Sequence, residues 1–273
     1  MNFQSFIQNL IKPHKIPYKI INKILILYQK KVYDFNKFQK EQNSIFEYFN
    51  LNRDKALHRL EEIKFQFPFL NRNMSSEHEV FFSALSFSNA KTKKILEIGT
   101  HDGKNSLLLS LLFNNAEIDT IDLPKTSKDF IKFYNRENKL DDFIKSRNEI
   151  LKISNKINFI ETNSINLLNS NKKYDLIWID GAHGYPMVCI DIINSLKLIN
   201  TNGIIMCDDI FINNIQSDKM YKSIAAFETL NELAMEKIID YKLIYKRLDS
   251  INNCNAFNRK FIGIFKKTIF FNQ

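Results

Sequence analysis

The stretch Lys94–Ser106, KILEIGTHDGKNS, limits the folds open to this chain more than any other. Ile95, Leu96 and Ile98 form a short apolar run of the kind that makes a buried parallel strand. Gly99 and Gly103 then open a loop, and Ser106–Phe113 (SLLLSLLF) resumes as an apolar helix. Strand, glycine loop and helix in that order make half of a nucleotide-binding unit. Glycine lets the backbone approach a ligand, and the start of the helix offers unpaired N–H groups. The spacing is G-x-x-x-G, not the G-x-G-x-x-G of dinucleotide binders, which counts against NAD and FAD. Glu97, an acid just before the loop, suits an ammonium better than a pyrophosphate. The combination points to S-adenosylmethionine. Glycine economy adds weight: the chain has six glycines, and Gly99, Gly103, Gly181 and Gly184 fall in two loops that follow apolar strands.

The same alternation runs through the rest of the chain. Ser76–Glu79 fits a capping box opening a helix through Val80, Phe82 and Leu85. Ala116–Leu123 reads as a second strand ending at Asp122, about 20–25 residues past the loop, where nucleotide folds bind ribose hydroxyls. Lys125–Lys156 is long, charged and helical in pattern. Ile157–Glu161 is a third strand, followed by Asn163 and Ser164. Tyr174–Asp180 is a fourth, followed by Gly-Ala-His-Gly-Tyr and a helix through Met187–Ile199. Gly203–Asp209 is a fifth, Met220–Met235 a helix, and Tyr241–Arg247 with Lys260–Phe265 a closing pair of strands. This order predicts an α/β, Rossmann-like doubly wound sheet over residues 73–273, mostly parallel with an antiparallel closing strand. Residues 1–72 read as a basic helical N-terminal extension.

Charge separates the two parts. Residues 1–75 hold 13 Lys/Arg against 6 Asp/Glu, and the remainder 26 against 24, within a net charge of +9. The near-neutral remainder argues against a surface that tracks nucleic acid. Residues 16–33 have the pattern of a basic amphipathic helix, too short to span a bilayer. Such a helix can make weak contact with an anionic membrane surface. More often it packs on its own domain or a second subunit, and a homo-oligomer is expected. Three scattered cysteines, Cys189, Cys207 and Cys254, fit no disulfide framework and suit a reducing cytoplasm. No signal-peptide pattern is seen at the N-terminus.

Three aspartates end adjacent strands, Asp180 after the fourth and Asp208 and Asp209 after the fifth. Packed together they would repel unless a cation neutralised them, and an all-oxygen set suits Mg²⁺ or Mn²⁺. His183, three residues past Asp180 in a glycine-flanked loop, can serve as a general base toward a hydroxyl. A loop histidine bonded to backbone is the plainer alternative. His101 reads as a pocket-shaping residue, while His14, His58 and His78 sit in polar helical context and read as solvated.

With these segments in view, the chain from about Asn73 resembles a class I S-adenosylmethionine-dependent methyltransferase, in particular the metal-dependent O-methyltransferases of the catechol and macrolide-sugar types. ILEIGTHDGKNS is similar to their first motif, which implies that Glu97, Gly99, Thr100, Gly103, Asn105 and Ser106 serve the cofactor. Asn105 departs from the commoner serine. Asp122 matches the ribose-binding acid, Asn163 and Ser164 the adenine-side turn, and IDGAHGY with CDDI the metal-binding segments. The resemblance implies Asp180, Asp208 and Asp209 as metal ligands, Asp180 also lying beside the cofactor. It implies His183 as the base, a histidine there favouring a sugar-like acceptor. Two rivals remain: a metal-independent N- or carboxyl-methyltransferase, and a non-catalytic cofactor-binding subunit. IDGAHG is not the Asn/Asp-Pro-Pro-aromatic segment of enzymes that methylate exocyclic amines of nucleic acids, so no nucleic-acid substrate is expected.

Overall fold

A computed structural model describes residues 27–28, 31, 33–71, 76–88, 91–134, 139–213, 223–249, 253 and 259–268. Cys254, the junction near Asn73 and most of residues 16–33 lie outside the described residues. Seven strands form one sheet: β1 (Lys94–Ile98), β2 (Glu117–Asp122), β3 (Ile157–Glu161), β4 (Tyr174–Ile179), β5 (Ile199–Ile210), β6 (Ile239–Tyr245) and β7 (Phe261–Lys267). Their order is β3-β2-β1-β4-β5-β7-β6. The first five pair in parallel, and β7 enters antiparallel between β5 and β6. The mostly parallel, doubly wound sheet predicted from the alternation is the one observed.

A sheet covered on both faces needs strands that are apolar on both faces, and period-2 geometry sorts the side chains between them. Ile95, Leu176, Trp178, Met206, Ile262 and Ile264 enter one core. Leu96, Ile98, Ile177, Ile179, Ile205 and Cys207 enter the other. The charged stretch after β2 forms two helices, α5 (Lys128–Tyr134) and α6 (Leu140–Leu151). Helix α4 (Lys104–Leu112) follows the glycine loop, and α7 (Met187–Leu198) and α8 (Ala225–Met235) cover the second core.

The first core also takes in the N-terminal helices α1 (Phe35–Tyr48), α2 (Arg53–Gln66) and α3 (Glu77–Ser88). Phe46 and Phe81 meet edge to face at 5.1 Å, and Ala56 and Leu60 of α2 join them. Asp34 and Asn52 cap α1 and α2 by accepting from the N–H groups of Lys37 and Lys55. At α3 the capping residues do other work: Ser76 Oγ meets His78 Nδ1 at 2.6 Å, and Glu79 holds Lys64. His78 is not solvated as its polar neighbours suggested. It is buried and stacked on Trp178 at 4.8 Å, because α3 turns that side toward the sheet. His58 is exposed, and His14 lies outside the described residues.

A buried ion pair binds the helices together. Glu77 accepts from Arg53 Nε (2.9 Å) and Nη2 (2.8 Å) and from Gln42 Nε2 (3.1 Å). Gln42 Nε2 also lies 3.2 Å from the Tyr245 carbonyl, and its Oε1 accepts from the Tyr245 N–H. Arg53→Leu should therefore cost about 3–5 kcal/mol in chemical denaturation, since it leaves Glu77 buried without its partner. The double variant Arg53→Leu/Glu77→Leu should recover part of that loss. Equal stability of the single variant and the native protein would show the pair to be idle.

Candidate active site

The carboxyl ends of β1 to β4 meet at a cavity of about 800 Å³. Its described lining includes Gly99 and His101 after β1, Asp122 after β2, Asn163 and Ser164 after β3, and Asp180 to Tyr185 after β4. Tyr134 and Phe143, stacked at 4.5 Å, form an aromatic wall with the His101 ring 5.6 and 5.7 Å away. His101 shapes the pocket as expected.

Gly99 has φ 105°, a backbone state only glycine adopts readily. A Cβ there would lie 2.3 Å from the Asp180 carbonyl oxygen, so β1 and β4 can leave the sheet side by side only over a glycine. The requirement comes from the close approach of the two strand ends as well as from any ligand above it. Gly99→Ala should lower stability by about 2–4 kcal/mol through strain and overlap together, read as a fall in melting temperature. An unshifted melting curve would refute this account of the close approach.

Glu97 faces inward, 0% exposed. It accepts from Asn105 Nδ2 (2.8 Å), Thr120 Oγ1 (2.6 Å) and Ser106 Oγ. Thr100 Oγ1 lies 2.7 Å from Thr120 Oγ1. Glu97, Thr100, Asn105 and Ser106 thus form a buried polar knot beneath the loop and are not part of the described cavity lining. At Gly103, with φ 78°, a Cβ would lie 3.0 Å from the Leu151 side chain.

Asp122 is buried at the rim. Its carboxylate accepts from the N–H groups of His101 (3.0 Å) and Leu123 (2.8 Å), with Tyr134 Oη at 3.4 Å. Burial pushes its pKa up, against those two N–H groups and the Arg147 charge. Asp191, on α7, was not anticipated from the sequence, although an acid amid the apolar run MVCIDII is a usable signal. It is 1% exposed, and burial raises its pKa to about 6 against a hydrogen bond from Ser164. Its Oδ1 has no hydrogen-bond partner among the described residues. An adenosyl group fits this pocket: Asp122 can accept from ribose hydroxyls, and the orphaned Asp191 oxygen can accept from an adenine amino group.

The acid cluster forms as expected, but the cation beside it belongs to the chain. Lys246 Nζ bridges Asp208 Oδ2 and Asp209 Oδ1 (2.5 Å to the latter), and Lys260 Nζ holds Asp209 Oδ2. Burial raises the Asp208 pKa, and the Lys246 charge more than reverses this, leaving it below the usual carboxylate range. Asp180 is pushed well above that range by burial and then by the Asp208 charge. Among the described residues no group of three or more His, Cys, Asp or Glu side chains is arranged to hold a metal ion. A divalent ion would have to displace an ammonium from oxygens already taken, so Asp180, Asp208 and Asp209 as arranged here do not fit the expected metal. The sequence could not show this, because Lys246 and Lys260 reach the site only through strand pairing.

His183 is 9% exposed and joins cavity and cluster. Its Nε2 lies 3.6 Å from Asp180 Oδ1 and 3.9 Å from Asp209 Oδ2. Burial lowers its pKa below 6.5, partly offset by the Asp209 and Asp208 charges, so the imidazole is neutral near pH 7.

Residues 96–210, which hold the glycine loop, Asp122, His183 and both DD aspartates, match the family model described as "Methyltransferase domain". That stretch is therefore similar to a methyltransferase domain, and it lies on the mostly parallel sheet described above. No curated protein matches the chain. Among solved structures it is similar to an O-methyltransferase from Klebsiella pneumoniae, at 14% identity and TM-score 0.50, covering 85% of this chain and 98% of that one. It is also similar to a protein from Staphylococcus aureus described as a caffeoyl-CoA O-methyltransferase (16% identity, TM-score 0.49, 86% and 100% covered). A third is an O-methyltransferase from Bacillus cereus in complex with SAH (14% identity, TM-score 0.48, 86% and 100% covered). At 14% identity and TM-score 0.50, the likeness to the first of these speaks for the fold alone.

Proposed function

We propose that this protein transfers a methyl group from S-adenosylmethionine to a hydroxyl of a small, sugar-like acceptor, with His183 as general base. The observation that carries this reading is a buried, neutral imidazole at the junction of a nucleotide-sized cavity and an acidic cluster. When bound, S-adenosylmethionine supplies an electrophilic methyl group on a sulfonium. Asp122 accepts from the ribose hydroxyls, Asn163, Ser164 and Asp191 line the adenine side, and the aromatic wall excludes water. His183 takes the hydroxyl proton as the oxygen attacks, and the carboxylates of Asp180 and Asp209 near its Nε2 stabilise the imidazolium that forms. Positioning provides much of the remaining acceleration, since the displacement needs no covalent intermediate on the protein. No metal takes part in this reading. Lys246 and Lys260 also fill the place where an amine acceptor would meet the aspartates, which favours a hydroxyl over an amine.

The knot under the loop bears on the cofactor indirectly, by fixing the path of Gly99 to Gly103. In the sequence the same residues stand where the cofactor's methionine end is expected. No described helix is long and apolar enough to cross a membrane. A homo-oligomer, and a weak membrane-surface contact through residues 16–33, are further proposals, supported by the basic amphipathic pattern of that stretch of sequence.

Calorimetry should show S-adenosylhomocysteine binding and NAD failing to bind. Asp122→Ala should weaken the former by about 10–100-fold, the value of a hydrogen-bonded diol on a charged acceptor. Tight NAD binding would overturn the cofactor assignment.

The base is tested with radiolabelled donor against free sugars, nucleotide sugars and glycosylated small molecules. His183→Ala should lower kcat by about 10²–10⁴-fold with cofactor affinity retained. Because the imidazole pKa is depressed, the native rate should rise with pH through an inflection below about 6.5 and then level off. That limb should vanish in the variant. Near-native turnover of His183→Ala would place the base elsewhere.

A further inference from the structure

The acid cluster sits at the carboxyl ends of β4 and β5, where three carboxylates meet around one buried point. Such a group needs nearby positive charge. The next elements of the sheet deliver it. Register pairs Tyr245 of β6 with Phe261 of β7, and just beyond that pair the Lys246 N–H donates to the Lys260 carbonyl at 2.9 Å. The two lysines therefore leave the hairpin opposite each other. Lys246 is buried, 8% exposed, and its carbonyl accepts from the Glu77 N–H at 2.9 Å, which fixes its backbone. Its ammonium bridges Asp208 and Asp209, while Lys260 takes the other oxygen of Asp209.

We propose that Lys246, supported by Lys260, stands permanently in the place of a divalent cation and makes the methyltransferase metal-independent. Three of the four oxygens of Asp208 and Asp209 are occupied by ammonium groups. Mg²⁺ and Mn²⁺ ask for about six oxygens in near-octahedral order, several of them from water. Asp208 Oδ1 is open among the described residues, but the point shared by Asp208 and Asp209 is already held by the Lys246 ammonium. Two ammoniums already match the charges of Asp208 and Asp209. A resident dication would turn that into a net positive charge pressed against two lysines. Lys246 and Lys260 act here as positioning residues: they hold Asp209 beside His183 and keep the cluster from repelling itself apart. This rests on the methyltransferase reading above but makes a separate claim about the cation.

The test is metal binding by the full chain, with cofactor-product binding measured beside it. After chelator treatment, the native protein is titrated with Mn²⁺, followed by calorimetry and by the electron spin resonance signal of free Mn²⁺. S-Adenosylhomocysteine is titrated separately. The native protein should bind S-adenosylhomocysteine equally with and without chelator and show no Mn²⁺ binding below millimolar concentration. Lys246→Gln, which empties the centre, should gain Mn²⁺ affinity at least tenfold, and adding Asp208→Asn should erase the gain. Lys260→Gln, at a more open position, should show a smaller gain and covers the case in which the Lys246 variant fails to fold. One Mn²⁺ bound per native chain at micromolar concentration, lost in Asp208→Asn, would overturn the proposal. So would a folded Lys246→Gln protein that binds S-adenosylhomocysteine but no Mn²⁺. Failure of S-adenosylhomocysteine to bind the native protein would instead strike the cofactor reading.

Discussion

A buried carboxylate must be satisfied where it lies, and that of Glu97 sets the terms for the nucleotide half of the fold. Its three donors come from two elements: Thr120 on β2, and Asn105 and Ser106 in the first turn of α4. One side chain thus joins the first strand, its neighbour and the crossover helix, and the glycine loop is stretched over the join. Loss of a donor would take a hydrogen bond from a carboxylate held in a dry interior, where water cannot replace it. The position of Gly99 against the Asp180 carbonyl depends on this join, and so does the cavity above it.

The opposite end of the site is organised by charge. Asp208 and Asp209 close β5, and their partners arrive from the antiparallel hairpin beside it. The depressed pKa of His183 comes first from burial and is helped by Lys246 and Lys260, while the aspartates act the other way. The lysines therefore do more than neutralise the acids. They also favour the neutral imidazole, in the same direction as the larger effect of burial.

The N-terminal helices belong to this arrangement. Gln42 of α1 grips Tyr245 through both its carbonyl and its N–H, and Glu77 of α3 binds the Lys246 carbonyl. Arg259 lies over the Phe38 ring at 4.6 Å, beside Lys260. The helical layer thus braces both strands of the hairpin at the end that carries the two lysines, linking the first core to the chemistry of the second.

By itself the sequence determined the order of strands and helices, the glycine loop, Asp122 at a strand end and the grouping of Asp180, His183, Asp208 and Asp209. These follow from local rules: apolar runs, periodicity, glycine placement, and the tendency of parallel strands to gather their carboxyl ends at one edge. Only the tertiary structure decided how those residues are paired. Glu97 was expected to face a ligand, yet its side chain lies on the face turned toward β2 and α4. His78 looked solvated among polar neighbours, yet α3 lays it on Trp178. The positive charge that the acids require was foreseen as a bound ion and is met by lysines some 40 to 50 residues further along the chain. Pairing at that separation depends on hairpin register and on a strand entering between two others, and neither leaves a mark in local sequence pattern.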